Sequence, residues 1–187
     1  MKRRVVITGV GPVTPIGTGK ETFWNNLIAG KSGVGIITRF DPTDFDVKIA
    51  GEVKNFEYAD YMDKKEGKRM DRVTHFAVAA AKLAVEDAKL DLEKINQVRA
   101  GVCVGSGIGG IETFVEQTTK YVEKGPSKIS PFFIPMEIPN MPAGQISIAL
   151  GFKGPNTAIV TACATVTNCI GDAFRTIQYG DADIMIA

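Results

Sequence analysis

The chain has 187 residues, of which 44% are hydrophobic and 23% are charged, and its formal net charge at pH 7 is +1. This length has room for one domain with a sizeable core. The near-neutral net charge excludes a protein-wide positive field that would attract nucleic acid or an anionic membrane. No uninterrupted apolar run approaches the ~18 residues of a membrane span. The three cysteines have neither disulfide nor zinc spacing. We therefore expect a soluble, cytoplasmic protein.

The first part of the chain predicts a strand, a helix and a long excursion. Residues 4–8, RVVIT, read as a buried strand, and the glycines and proline that follow interrupt the apolar run, which argues against a signal peptide. Residues 22–29 predict a helix that ends at Gly30. Residues 31–53 predict a long excursion from regular structure, an irregular segment with short strand pieces, because glycines and a proline interrupt this part of the sequence.

A charged segment and a long helix follow. Residues 60–72, DYMDKKEGKRMDR, carry both charges densely, which is typical of a solvated surface connection. Residues 72–89 predict a helix whose apolar stripe is rich in alanine and therefore packs closely on a neighbour. The stripe consists of Val73, Phe76, Ala77, Ala80, Ala81, Ala84, Val85 and Ala88. His75, the only histidine, lies beside the stripe, and we expect it to have a structural role.

Residues 98–104 predict the next strand, which runs into a glycine-rich turn over residues 105–110, GSGIGG. This pattern satisfies the GxGxxG fingerprint of dinucleotide-binding folds. Such a site also needs an acidic residue at the end of a following strand, about 20 residues further on. Residues 111–124 instead predict a helix, and Glu123 lies at its end. We therefore reject a nucleotide site.

Residues 130–141, SPFFIPMEIPNM, are apolar and broken by prolines, so they predict an irregular loop. A loop of this composition must be covered, either by its own core or by another chain. Residues 142–150 read as a short helix that ends at Gly151. The alternation of strands with helices predicts a layered α/β domain with a mixed, mostly parallel central sheet that helices cover.

Residues 154–180 carry the strongest chemical signal. A β-type run over residues 157–161 leads into a helical apolar pattern that ends at Gly180, and Thr161 is a candidate N-cap. Cys163 then falls in the first helical turn, where unpaired N–H groups and the helix dipole favour a thiolate. A free cysteine is otherwise a small buried hydrophobe, and position alone leaves both interpretations open. Residues 183–187 open a last strand.

The motif TACATVTNCIGDAF, followed by GDADIMIA, resembles the active-site segment of the β-ketoacyl-acyl-carrier-protein synthases, and most of all their type II members. These are the elongating condensing enzymes of fatty-acid synthesis. MKRRVVITGVGPVTPIG, VCVGSGIGG and SPFFIPMEIPNMPAGQISI match in the family's order, so the resemblance covers the whole chain. It implies that residues 1–187 are the N-terminal half of a thiolase-like fold, as one domain whose C-terminal half is absent.

The resemblance also implies a reaction, a decarboxylative Claisen condensation of malonyl-acyl-carrier protein with an acyl group held as a thioester on Cys163. It implies that Ile108 lines the acyl channel, and that Phe133 and Ile134 lie on a segment that reaches across a homodimer interface and lines the acyl pocket of the partner. The residues implied to dock the acyl carrier protein are Lys64, Lys65, Lys68 and Arg69. The implied partners are acyl carrier protein, fatty acyl and malonyl thioesters, and either a second copy in a homodimer or a C-terminal half. No cofactor, metal, nucleic acid or membrane is expected.

Two departures from the family pattern qualify this interpretation. Val166 stands where the family usually has glycine or serine, and it adds bulk beside the thiol. The histidine pair and the lysine that complete the family's active site belong to the absent half, so we expect the isolated chain to lack full condensing activity. Two alternatives stay open: a non-catalytic subunit like the chain-length factors, which lack the cysteine, and an unrelated cysteine hydrolase with His75 as its base.

Overall fold

The computed structural model describes residues 3–187, and within them the strands form three separate sheets. The strands are β1 Val13–Thr14, β2 Gly17–Thr18, β3 Val34–Ile36, β4 Ile49–Gly51, β5 Ala100–Cys103, β6 Asn156–Thr157 and β7 Ile184–Ile186. The central sheet is parallel and has the order β6–β5–β7. Two antiparallel hairpins, β1–β2 and β3–β4, precede it in the chain.

Helices make up the other layers of the fold, and their positions confirm the predicted α/β alternation. The helices are α1 Lys20–Ile28, α2 Lys64–Gly67, α3 Arg72–Asp87, α4 Ile111–Lys124, α5 Phe133–Glu137, α6 Met141–Leu150 and α7 Thr165–Tyr179. The predicted helix over residues 111–124 coincides with α4, and those over residues 22–29, 72–89 and 142–150 differ from α1, α3 and α6 by one or two residues at one or both ends. Gly151 and Gly180 end α6 and α7 in the left-handed conformation that glycine adopts readily.

The main core lies where α3 packs on α6 and both elements approach β5. Val78 of α3, Ile146 of α6 and Val102 of β5 are almost completely buried there. Each fully buried aliphatic side chain of this kind contributes about 1.5–3 kcal/mol to folding. The core therefore fixes the carboxyl end of β5, from which the glycine-rich turn departs.

The predicted apolar stripe of α3 is only partly the buried face. The most buried residues of α3 are Thr74, Val78, Ala79 and Ala81, of which only Ala81 belongs to the predicted stripe. Three other alanines of the stripe, Ala80, Ala84 and Ala88, lie against Gly9 and Gly11 after the N-terminal segment. A Cβ added at Gly11 would lie 2.0 Å from the carbonyl oxygen of Ala80, so the backbones approach as closely as the alanines allow.

The predicted buried strand over residues 4–8 is wrong. The structure assigns no strand there, and the side chain of Ile7 is 81% exposed. A strand needs a hydrogen-bonding neighbour about 4.8 Å away. Between this segment and β7 the structure instead has an apolar cavity of about 1120 Å³, so the segment lacks such a neighbour on that side.

Three smaller predictions also change. The loop over residues 130–141 contains the five-residue helix α5, and the predicted strand over residues 157–161 pairs only at β6. The charged segment is mostly exposed, but Asp71 at its end is buried.

Among the described residues, no helix combines the length and the apolar character that crossing a membrane requires.

Candidate functional site

Cys163 lies in a short 3₁₀ turn, Ala162–Ala164, directly before the first residue of α7. Its side chain is exposed, whereas Cys103 and Cys169 are buried. The sequence predicted Cys163 in the first turn of this helix, but the residue lies in the 3₁₀ turn that precedes α7. Cys163 is therefore at the amino end of α7.

Side chains of α7 hold the backbone around this cysteine. The Thr161 N–H donates to Oγ1 of Thr165 at 2.9 Å, and Nδ2 of Asn168 donates to Oγ1 of Thr161 at 2.8 Å and to the Ala164 carbonyl at 3.1 Å. Thr161 therefore does not cap the helix with its side chain, because that hydroxyl accepts from Asn168 instead. We call residues 161–165 the cysteine elbow.

The cysteine elbow is bent at Ala162. This residue has a φ of +50°, in the left-handed region that non-glycine residues seldom adopt. Such strain persists only where the surrounding structure over-determines it, and it clusters at functional sites. The hydrogen bonds of Thr165 and Asn168 are two of those constraints, and the exposed Cys163 directly follows the bend.

The glycine turn, residues 105–110, packs against this elbow. A Cβ added at Gly105 would lie 1.9 Å from the carbonyl oxygen of Ile159 and 2.8 Å from the γ-methyl of Thr165. A Cβ at Gly107 would lie 3.7 Å from Cα of Ala162. The absence of a side chain at Gly105 thus permits the close contact of the turn with the elbow. Ile108, predicted to line the acyl pocket, is exposed on this turn.

The segment with the other two predicted pocket residues contacts the far end of the glycine turn. The Gly110 N–H donates to the carbonyl of Glu137, the last residue of α5, at 2.7 Å. Phe133 is half-buried, with its ring centroid 6.3 Å from that of Phe114, and Ile134 is exposed. The turn therefore connects α5 with the cysteine elbow.

The four predicted docking residues are exposed and lie together in sequence. Lys64 and Lys65 are the first residues of α2, and Lys68 and Arg69 follow it. The guanidinium carbon of Arg69 lies 4.6 Å from the ring centroid of Phe132, within cation–π range. This contact places the basic patch beside the loop that carries α5.

The apolar cavity is a separate feature. Its lining comes from residues 5–12, from α1, α3 and α7, and from β7, and Cys163 is not part of it. Val166, predicted to add bulk beside the thiol, is exposed and lines this cavity. Cys169 also lines it, and burial raises the pKa of the neighbouring Cys103 thiol, with Cys169 close by.

Sequence reasoning missed three residues that support the site: Thr165, Asn168 and the buried Asp71. The first two lie four and seven residues after Thr161, spacings at which helical side chains reach back toward the preceding turn. Asp71 does have a local signal, because an aspartate directly before a helix is a preferred N-cap, but its contact with Thr113 of α4 joins segments that are distant in sequence. Among residues 3–187 the structure has no cluster of three or more His, Cys, Asp or Glu side chains that would hold a metal ion.

Comparisons with known proteins agree with this geometry. A family model described as "Beta-ketoacyl synthase, N-terminal domain" matches residues 2–187. The chain is 54% identical over 184 residues to 3-oxoacyl-acyl-carrier-protein synthase 2 of Staphylococcus aureus (strain COL), a match that covers 98% of this chain and 44% of that protein. The chain thus spans less than half the length of the curated relatives it matches.

Two solved structures share the fold. The ishigamide ketosynthase/chain length factor aligns with a TM-score of 0.89 and 32% identity, over 99% of this chain and 46% of the other. A type II polyketide synthase acyl-carrier protein in complex with its ketosynthase, bound to the hexaketide, aligns with a TM-score of 0.83 over 99% of this chain and 50% of the other. That second likeness has 22% identity and supports the fold alone.

Proposed function

Because the chain belongs to the β-ketoacyl synthase family, in which it matches the N-terminal domain, we propose that it forms the acyl-accepting half of a fatty-acid condensing enzyme. Its fold is the thiolase-like fold of ketosynthases that the sequence predicted. The observation that carries the proposal is the exposed thiol of Cys163 on a bent elbow at the amino end of α7. A cysteine in that position is a nucleophile that a helix dipole assists.

The proposed reaction has two stages. The Cys163 thiolate attacks the carbonyl of an acyl thioester on the carrier protein, a new carbon–sulfur bond forms, and the carrier thiol leaves. Malonyl-carrier protein then loses carbon dioxide, and the resulting carbanion equivalent attacks the acyl-cysteine and releases the thiolate. The backbone N–H of Cys163 is the first donor for the oxyanion that forms in each attack. In the family the histidine pair and lysine of the second half assist the decarboxylation, so this half accepts an acyl group without condensing it.

Acyl carrier protein is the proposed partner at the basic patch. Lys64, Lys65, Lys68 and Arg69 are exposed and carry four positive charges beside the loop of α5. An acidic carrier protein fits this charge, and such contacts steer association at low ionic strength. The relative that is 54% identical to this chain is named for 3-oxoacyl-acyl-carrier-protein synthesis, which supports this class of partner.

Ile108, Phe133 and Ile134 are the proposed lining of the acyl pocket. Ile108 and Ile134 are exposed, and Phe133 is half-buried against Phe114. The hydrogen bond between Gly110 and Glu137 joins the segments that carry them. Exposed apolar residues in one region favour an apolar ligand or a covering chain. We propose that they enclose the acyl group once a second copy or a C-terminal half packs here.

A chain-length-factor-like subunit is the second candidate, because one similar structure is a ketosynthase/chain length factor. The exposed Cys163 disfavours this candidate, because the chain-length factors lack the cysteine. A cysteine hydrolase is disfavoured more strongly, because its only candidate base, His75, makes other contacts. Nε2 of His75 lies 2.8 Å from the Gly67 carbonyl, and its ring stacks on Tyr58 with centroids 4.5 Å apart.

The proposal is tested by intact-mass measurement after incubation with carrier protein that is loaded with an acyl thioester. We expect one acyl adduct on the wild-type chain, no adduct on Cys163→Ala, and an unchanged adduct on the matched control Cys169→Ala. Malonyl-carrier protein is then expected to give β-ketoacyl product only when a C-terminal half is added. A wild-type chain that forms no adduct contradicts the acyl-accepting role, and product from the chain alone contradicts the need for a second half.

A further inference from the structure

Asp71 is a buried carboxylate that the proposed reaction does not use. It lies directly before α3, and the residue is only 5% exposed. One oxygen, Oδ1, accepts a hydrogen bond from the Val73 N–H at 3.0 Å. The other, Oδ2, accepts from both the N–H and the Oγ1 of Thr113, at 2.9 and 2.7 Å. The same carboxylate thus contacts the first turns of two helices.

Both contacts satisfy groups that a helix leaves unpaired. The first N–H groups of α3 and α4 have no partner within their own helices, and both helix dipoles place positive charge there. Asp71 therefore joins the amino ends of α3 and α4 through one charge. A replacement at this position would leave buried donors without an acceptor, which folded proteins avoid.

The joined end of α4 is also the end of the glycine turn. Residue 110 of the turn directly precedes α4, and a Cβ added at Gly110 would lie 3.0 Å from Cβ of Asp71. In the first half of the turn, a Cβ added at Gly105 would overlap the Ile159 carbonyl, and one added at Gly107 would lie 3.7 Å from Cα of Ala162. The turn thus lies between Asp71 and Ala162, the strained residue that precedes the cysteine.

We propose that Asp71 is a positioning residue for the acyl-accepting thiol. It fixes the start of α4, α4 fixes the glycine turn, and the turn holds the cysteine elbow in the bent conformation that keeps Cys163 at the amino end of α7. The inference rests on the proposed function, since it concerns the reactivity of the same cysteine. Asp71 itself touches neither the thiol nor the acyl group.

The rate of Cys163 alkylation by iodoacetamide as a function of pH tests this proposal. Intact mass of the full chain reports Cys163 because Cys103 and Cys169 are buried. Asp71→Asn removes one acceptor whichever way the amide turns, and Thr113→Val removes the hydroxyl donor. We expect Cys163 to react several-fold more slowly at neutral pH in both variants. The dependence of its alkylation rate on pH should also become more like that of the unfolded chain. Thr113→Ser keeps the hydroxyl and restores the wild-type profile.

Asp91→Asn is the matched control. Asp91 also accepts from the N–H two residues further on, at 3.1 Å, but it is exposed and distant in the chain from the elbow. Folded Asp71→Asn with a wild-type profile overturns the proposal, and so does Thr113→Ser that behaves like Thr113→Val. If Asp71→Asn does not fold, the two Thr113 variants decide. A wild-type Cys163 that reacts like the unfolded chain contradicts the proposed function as well, whereas an activated Cys163 unaffected by the variants contradicts only the role of Asp71.

Discussion

At the scale of single residues, exposure separates the three cysteines. Cys163 is exposed, and Cys103 and Cys169 pack together with Ala173 in a small buried cluster. Selective labelling of Cys163 would therefore follow from access alone. Only its rate and pH dependence, compared with those of the unfolded chain, report an activated thiol.

The first prediction concerns this access. In the native chain, a thiol reagent at neutral pH is expected to add one label, at Cys163, and in strong denaturant it is expected to add three. Burial excludes the reagent from Cys103 and also raises the pKa of its thiol, which lowers the fraction of reactive thiolate. Intact mass followed by peptide mapping measures the result. More than one label on the folded chain would contradict the burial of the cluster.

A second residue-scale prediction concerns Asp183, which lies directly before β7. Its carboxylate accepts from Nε of Arg99 and from Nη1 of Arg3, both at 2.7 Å, and these bonds lower its pKa to about 2. An unfolded aspartate has a pKa of about 3.9. Since the folded pKa is the lower one, the contribution to stability is complete above the unfolded pKa and is lost as the pH falls through the folded pKa of about 2.

We therefore expect Asp183→Asn to lower the urea midpoint at pH 7. The difference from wild type is expected to shrink as the pH falls from about 4 to about 2, because both proteins then lack the charge. The effect is small, since the group lies at the surface and salt screens it. Asp181→Asn, an exposed neighbour, is the control. A difference that stays constant over this pH range would mean that the ion pairs do not carry it.

These residues also mark the limit of what the sequence predicted. The position of Cys163 at the start of a helix followed from local spacing, because helical periodicity and a terminal glycine are local signals. The contact of Asp71 with Thr113 and the bend at Ala162 did not follow. The first joins segments that are distant in the chain, and the second is a positive φ that no periodic pattern marks.

At the scale of elements, the helices and the strands β5 and β7 were predicted closely, but the strand predicted over residues 4–8 is absent. Helices α3, α4 and α6 have their own periodicity and end signals, so their bounds were close. A strand exists only with its neighbour, and the N-terminal segment has none on the side of β7. Its apolar, β-branched composition therefore predicted a strand that the described residues do not form.

Two glycine substitutions test the packing between elements. Gly105→Ala is expected to destabilise the chain by roughly 1–3 kcal/mol, since the new methyl group would overlap the Ile159 carbonyl. Gly171→Ala is the matched control within α7, where the added Cβ has open space. It is expected to stabilise the chain by about 0.5–1 kcal/mol. Urea unfolding measures both. Equal effects of the same sign would contradict the contact between the glycine turn and the elbow.

At the scale of the whole molecule, the apolar cavity leaves large apolar side chains exposed to solvent. Val166, Ile170 and Phe174 form a stripe along α7 and remain exposed at its wall. A helix in a layered domain buries such a stripe against another element. An apolar surface of this kind promotes association. Our proposal that a C-terminal half completes the enzyme gives this surface a partner.

The last prediction tests whether this surface mediates association. Ile7, at the cavity wall, and Val122, on α4 away from the cavity, are 81% and 76% exposed. We expect Ile7→Ser to weaken both self-association and pairing with a separately expressed C-terminal half. Val122→Ser should leave both unchanged, because it removes a similar exposed apolar area elsewhere. Light scattering across a concentration series, with and without that half, measures the solution mass. If the two variants behave alike, general surface hydrophobicity drives the association, and the cavity is not the contact.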